Sequence, residues 1–567
     1  MSRSPPLLPS PRFAPASYSQ IISLFPSGGG GYLVASKLLS PVAGVVSGSA
    51  LLIDYVLTIT ISVAGGTDAL FSLLSAAWLD WKRPFALAGV TGQTVLNLRG
   101  VRESVLLWVP VFFVFVGTHA FAIIYVLCSH GPLPGQVAGA TLHEVHAVSA
   151  ESGWFGLIAI LLKAYSMGAG TYTGIEAVSN GLPILREPRV RTGRRTMLYM
   201  GISLAVTVAG LLLAYLLYAV VPVEGKTLNA VLLESMTANW GPSGHAFVFT
   251  ALAAEAALLL IAAQAGFLDG PRVLANMALD RWFPARFAAL SDRFVTQNGI
   301  LLMGAAGFVM MVLTRGSVAL LVVLYSINLF ITFSLSQLGM VRHWWSVRHS
   351  EPAWRRRIAV NGFGLGLTTF ILVSLTIVKF NEGGWATLLV TGLLVGAAFA
   401  IKRHYQGVAT QLRRLDPVVA AADESVAREI SVDAAATKLR DPAPLDPQAR
   451  TAILLVNGYH GLGLHPALHI PRIFGDTFRN FVFLQVRAVD AGSFTGTAEI
   501  EALRAHTVAA AERYAEWAAP TATAPRRLPR SATMCWARSC DSRLPPPNVF
   551  RTTSFLPDNF YFLVRRA

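Results

Sequence analysis

The stretch LLIDYVLTITISVAGGTDAL, residues 51–70, decides the fold class. Its apolar residues run almost unbroken, and about 20 such residues let a helix cross the hydrocarbon core of a bilayer. A helix satisfies its backbone hydrogen bonds within its own segment, which lipid demands. Yet the stretch carries Asp54 within it, followed by Tyr55, Thr58 and Ser62. On a helix these four share a face. An ionisable group at such depth is costly and faces a bundle interior or an aqueous cavity. One carboxylate with three hydroxyls makes a stripe of oxygen ligands that suits a hard monovalent cation. The carboxylate can equally accept a transported proton. The plainer alternative is a polar seam, since Ser and Thr join helices within membranes routinely.

Outward from this stretch the chain repeats the pattern. Of 567 residues, 53% are hydrophobic and 14% charged, against about 25% charged in a soluble domain. Ten spans are expected, at 43–65, 82–98, 104–128, 155–181, 197–221, 245–268, 298–314, 317–339, 359–379 and 384–402. The second, around PFALAGVTGQTVLN (84–97), is short and polar at Gln93, so it must lean on neighbours. The net charge of +15 sits in short loops between spans, which argues for topology and against nucleic acid. Arginines gather after the second, fourth, sixth and eighth spans, while 129–154 has no Lys or Arg and 222–244 only Lys226. Cytoplasmic loops hold the positive excess. The protein is therefore expected in the plasma membrane as a multi-pass chain, with both ends in the cytoplasm.

The fourth span reads GLIAILLKAYSMGAGTYTGIEAVSNGLPILREP, residues 156–188. Its MGAGTYTG run (167–174) is too rich in glycine for a regular helix. A discontinuous membrane helix is tolerated where its opened backbone lines a cavity, and transporters place substrates and ions at such breaks. Thr171 and Thr173 lie in the expected break, with Glu176 and Asn180 just beyond. Close glycine packing is the structural alternative. Glu255, within ALAAEAALLL (251–260), is a further buried candidate, as a proton site or as a pairing partner. Cys128, Cys535 and Cys540 are too scattered for a disulfide framework or zinc site. No Walker loop appears, so ATP-driven transport has no support. No cofactor is expected, and no metal beyond a potassium ion at the residues named.

After residue 403 the composition changes. Residues 404–450 read as a linker. Residues 451–519 read as a small cytosolic α/β domain: strand TAILLVN (451–457), glycine turn GYHGLGL (458–464), helix HPALHIPRIFGDTF (465–478), strand FVFLQVRAV (481–489) and amphipathic helix 498–519. Strand–helix–strand order predicts a parallel sheet. Residues 1–17 and 520–567 have no apolar period and read as an atypical segment and a disordered tail.

SGGGGYLVASKLLSP (27–41), DYVLTITISVAGGTDAL (54–70), NLRGVRES (97–104) and TYTGIEAVSNGLPILREP (171–188) resemble the amino acid–polyamine–organocation superfamily of permeases, and within it the branch of KimA-type potassium importers. The resemblance covers 18–403. It implies an all-α membrane helical bundle of the inverted-repeat, LeuT-like kind, followed by the C-terminal α/β domain. It also implies proton-coupled potassium uptake and carries ion-site roles onto Asp54, Tyr55, Thr58, Ser62, Thr173 and Glu176. By the family pattern, two helices would precede SYSQIISLFPSGGGGYLV (17–34), and the first of them would supply half of the substrate site; this chain is expected to lack both. The expected function is thus secondary active transport of potassium or another monovalent cation with protons, and not an enzymatic one. An amino acid permease of the same fold is the alternative, and a non-transporting truncated permease or membrane sensor is a third. A regulatory nucleotide at the cytosolic domain and a homodimer are further expected partners.

Overall fold

The computed structural model describes residues 13–26, 28, 30–100, 105–129, 133–167, 175–182, 185–291, 295–417, 419–421, 424, 448–456, 458–478, 480–485, 505–510, 512–514, 517, 531–538 and 562–564. The chain divides into two compact units, Met1–Phe287 with Val295–Phe399, and Ala288–Phe294 with Ala400–Ala567.

The first unit is helical. In chain order its elements are α1 (Phe13–Leu24), α2 (Gly31–Leu38), α3 (Pro41–Phe71), α4 (Lys82–Arg99), α5 (Val105–Ser129), α6 (Leu133–Met167), α7 (Ile175–Asn180), α8 (Arg189–Leu217), α9 (Leu228–Thr237), α10 (Pro242–Leu279), α11 (Gln297–Leu313), α12 (Val318–Ser346), α13 (Trp354–Lys379) and α14 (Trp385–Leu412). Six stretches among the described residues are long and apolar enough to cross a membrane. They are α3, Trp108–Ser129 of α5, α8, α10, α12, and Trp354–Ala421, which holds α13 and α14 together. α11 is a shorter apolar helix. α3, α5, α8, α10 and α12 are uninterrupted helices where spans are expected.

Local chemistry sets where these helices start and turn. Ser40 caps α3 by accepting from Ala43 N at 3.1 Å, with Pro41 in the first turn. Both residue types suit those positions, because the first amides of a helix lack partners and proline has none to lose. α13 joins α14 through a π turn, Phe380–Gly384, in which Gly383 adopts φ 113°. Such a backbone angle favours glycine.

α3 lies at the centre. It packs against α10, α12, α2, α11 and α4, and most of it is buried. α5 and α8 are mostly exposed and present Phe113, Leu127, Val206 and Leu212 outward. A helix apolar on all sides belongs either in a core or in lipid, and here the two fates are divided between α3 and the outer helices. Gly266 of α10 lets the central pair approach closely: a β-carbon there would lie 2.7 Å from Tyr55 O and 2.6 Å from Ile59 Cγ1. Small residues permit this backbone contact between membrane helices.

The structure departs from the sequence reading in three places in this unit. The 129–154 loop is largely helical, and α6 is two helices meeting at Gly153, where φ is 67°. The stretch reads as a connection between spans, but its alanines favour helix. α10 runs on to Leu279, eleven residues beyond the expected limit, with Pro271 inside it. Neighbouring helices make such a proline tolerable. Finally, two further helices, α1 and α2, stand ahead of the ten expected spans.

The second unit holds a four-stranded sheet in the order β1 (Thr451–Val456), β2 (Asn480–Gln485), β3 (Ser531–Arg538), β4 (Phe562–Val564). β1 and β2 run parallel across α15 (Gly461–Phe474), as expected, with Thr451 opposite Asn480. β3 extends the parallel sheet and β4 pairs antiparallel to β3. Both lie in the stretch read as a disordered tail. The open edge of β2 offers backbone partners to any run able to extend, whatever its apolar period. Half of the expected glycine turn is the first turn of α15, which packs Leu464 and Ala467 against Val456, Phe483 and Tyr514.

Candidate functional site

Polar groups meet where α2, α3, α7 and α12 converge. Glu176, in the first turn of α7, accepts a hydrogen bond at 2.5 Å from the amide of Gly31, the first residue of α2. That amide has no partner inside its own helix, and the positive end of a helix favours an anion. A methyl group at Gly31 would lie 3.0 Å from Glu176 Oε1 and 3.1 Å from Ser47 Oγ, and against Thr332 Cγ2. Three elements therefore close on the bare α-carbon of Gly31.

Asp54 is 5% exposed and Glu176 is 6% exposed. The Glu176 charge reaches the Asp54 carboxyl. Asn180 of α7 donates to the Tyr55 hydroxyl at 2.5 Å, which ties α7 to α3 beside the pair. Asp269 of α10 also acts electrostatically on Glu176 and Tyr55, and it faces Arg272 at 3.6 Å. Asp54 Oδ1, Glu176 Oε2, Ser47 Oγ, Thr58 Oγ1 and Thr332 Oγ1 are buried without a hydrogen-bond partner among the described residues. Native interiors rarely leave polar atoms so, and a bound ligand is one group that would satisfy them.

The sequence-expected residues divide accordingly. Asp54, Tyr55, Glu176 and Asn180 are brought together. Thr58 is buried one turn beyond Asp54 on α3. Ser62 is buried a further turn along, but burial on α3 distinguishes little, because that helix is enclosed on nearly every side. Thr171 and Thr173 lie outside the described residues, as does the glycine run between α6 and α7.

Glu255 is elsewhere, in a second polar cluster between α5, α8, α9 and α10. Gln93 of the weak second span donates to Leu260 O at 3.0 Å and accepts from Gln264, so α4 does lean on α10. Sequence reasoning missed Ser47, Thr332 and Asp269. Ser47 lies seven residues before Asp54, on the same face. Tyr325, Asn328, Thr332 and Ser336 repeat at helical spacing along α12, all buried. That is the pattern that singled out 51–70, but without a charge to draw notice.

A buried carboxyl cluster inside a bundle with lipid-compatible outer faces fits a membrane transporter. Comparison with known families matches residues 14–399 to the amino acid permease family. The chain belongs to that family, within the amino acid–polyamine–organocation superfamily, and has its multi-pass transporter fold. The potassium transporter KimA of Bacillus subtilis (strain 168) is 33% identical over 411 residues. The match covers 70% of this chain and 64% of that protein, so it spans less than two thirds of the relative's length.

Proposed function

We propose that this chain imports potassium or another monovalent cation together with protons, through a site built on Asp54, Tyr55, Thr58, Ser62, Thr173 and Glu176. The observation that carries this reading is the burial of two carboxyl groups, Asp54 and Glu176, within electrostatic reach and with unpartnered hydroxyl oxygens on the same helices or packed against them. Like charges at close range in a low dielectric repel strongly unless a proton or a cation is shared between them. Carboxylate, hydroxyl and backbone oxygens are the ligands that hard cations take. The similarity to a potassium transporter supports the same substrate class. The arginine-bearing loops support cytoplasmic placement of both chain ends.

An amino acid substrate is the second reading, favoured by the family match. It asks for a free helix N-terminus to hold the substrate carboxylate. The leading amide of α2 is instead engaged by Glu176, which weighs toward a cation. Rubidium uptake into cells lacking their own potassium importers separates the two. The cation reading expects accumulation that Asp54→Asn abolishes. Rubidium uptake that survives Asp54→Asn would sink the proposed site. Accumulation of a labelled amino acid, blocked by Glu176→Gln, would replace potassium as substrate.

A further inference from the structure

The cluster around Glu255 is a second set of titratable groups, built on α5, α8, α9 and α10, of which only α10 also reaches the site at Gly31. His119 of α5 is 2% exposed. Its Nδ1 lies 2.9 Å from Phe115 O, one turn back on the same helix. A carbonyl oxygen only accepts, so Nδ1 carries a hydrogen. Thr118, whose Oγ1 is 3.3 Å from Nδ1, directs its own hydrogen to Val114 O or Phe115 O. Nε2 is left pointing at Glu255 Oε2 of α10, 3.7 Å away. Glu255 Oε1 accepts from Asn229 Nδ2 of α9 at 2.9 Å, and Asn229 Oδ1 accepts from the Tyr215 hydroxyl of α8.

These bonds orient every member. Asn229 has its amide nitrogen toward the carboxyl and its oxygen toward the tyrosine, so Glu255 Oε1 is an acceptor. With Nδ1 protonated, a neutral His119 presents a lone pair at Nε2. An ionised Glu255 presents a lone pair at Oε2. Two acceptors facing each other in an apolar interior repel, and one proton between them turns repulsion into attraction. That proton sits on Nε2, giving an imidazolium–carboxylate pair, or on Oε2, giving a carboxylic acid donating to imidazole. Either placement balances with one proton taken from water.

We infer that His119 and Glu255 form a one-proton binding site between α5 and α10. The groups facing the pair are Tyr215 from α8 and Asn229 from α9; among the described residues no lysine or arginine pairs with it. Lys226, just ahead of α9, is engaged with Glu234 at 2.6 Å. α10 also carries Asp269 and the glycine contact with Tyr55. One helix thus carries both this proton site and side chains at the transport site, whichever ion that site takes.

Infrared difference titration of the purified full-length protein tests this. A protonated carboxyl gives a carbonyl band that appears as the group takes up its proton. The expected result is one titration step, read as a carboxyl band if the proton rests on Glu255 or as an imidazolium signal if it rests on His119, that is lost or moved by about one pH unit or more in both Glu255→Gln and His119→Gln. A band lost in Glu255→Gln but unmoved in His119→Gln would overturn the shared proton, and so would the absence of any band assignable to Glu255 in the wild type together with an unchanged imidazole signal across the titration. Should Glu255→Gln fail to fold, His119→Gln against wild type still decides, because the step either stays unmoved or does not. Uptake is not the readout, so failure here is distinct from failure of the potassium reading.

Discussion

Replacing Gly31 by alanine adds a single methyl group to the most crowded point of the site. Its neighbours would be Glu176 Oε1 at 3.0 Å, Ser47 Oγ at 3.1 Å and, closest, Thr332 Cγ2. The first two are tight and the third is a clash with a β-branched side chain held in a buried helix. Either α12 or the start of α2 must shift, and the second shift stretches the 2.5 Å bond to Glu176. Overpacking of this kind costs about 1–3 kcal/mol, and a buried hydrogen bond to a charged group is worth about 1.5–3 kcal/mol. The two are relieved by one displacement and so do not add; a loss of about 2–3 kcal/mol is expected. The control is Gly362→Ala in α13, where an added methyl meets nothing within 4 Å. That change is expected to be neutral or stabilising by about 0.5–1 kcal/mol, as for any helix-interior glycine. Thermal unfolding of the two purified variants, with rubidium uptake measured in parallel, is the assay. Gly31→Ala should melt well below wild type and transport poorly. Equal melting and equal uptake for the two variants would refute the convergence of α2, α7 and α12 on Gly31.

Other consequences are more local. Tyr55→Phe removes the acceptor for Asn180 Nδ2; an unsatisfied buried donor costs about 1–3 kcal/mol, so a lower melting temperature and weaker cation affinity are expected, and Asn180→Leu added to it should recover much of the stability. Gly266→Val places bulk against Tyr55 O and Ile59, and should cost at least the roughly 1–3 kcal/mol of overpacking and reduce the yield of folded protein in detergent extracts. Ser17→Ala deletes a hydroxyl 2.6 Å from Asn361 Oδ1 and 2.9 Å from Gln337 Oε1; increased protease cleavage near α1, relative to wild type, is the expected sign that α1 has loosened from α12 and α13.

Much of the membrane unit was legible because lipid imposes one rule on every span. Long apolar runs had to be helices, and a carboxylate inside one had to face inward, which led directly to Asp54 and Glu176. Asn180 was legible as a candidate one helical turn beyond Glu176, but its bond to Tyr55 was not. What escaped notice carries no such mark. Asp269 follows Phe267 and Leu268 but precedes Gly270 and Pro271, a combination that ordinarily ends a helix; only packing against α3 and α11 carries α10 through it. Thr332 is one hydroxyl among apolar neighbours, and its role depends on a glycine 301 positions away in the chain, a pairing that no periodicity encodes. The histidine in α5 reads as an isolated core residue until Glu255 is found opposite it. In the second unit, β3 was missed because pairing with the free edge of β2 depends on backbone groups, which composition does not reveal.

The most direct test of the central claim is whether potassium binds between Asp54 and Glu176. Thermal unfolding of the purified protein in potassium chloride, against choline chloride at the same ionic strength, measures it without transport. A ligand held only by the folded state stabilises by about 2.7 kcal/mol at a hundred times its dissociation constant. The account predicts a rise in melting temperature that saturates with potassium in the wild type and is lost in Asp54→Asn and in Glu176→Gln. A potassium-dependent rise of equal size in both variants, or none in the wild type at any concentration, would contradict it.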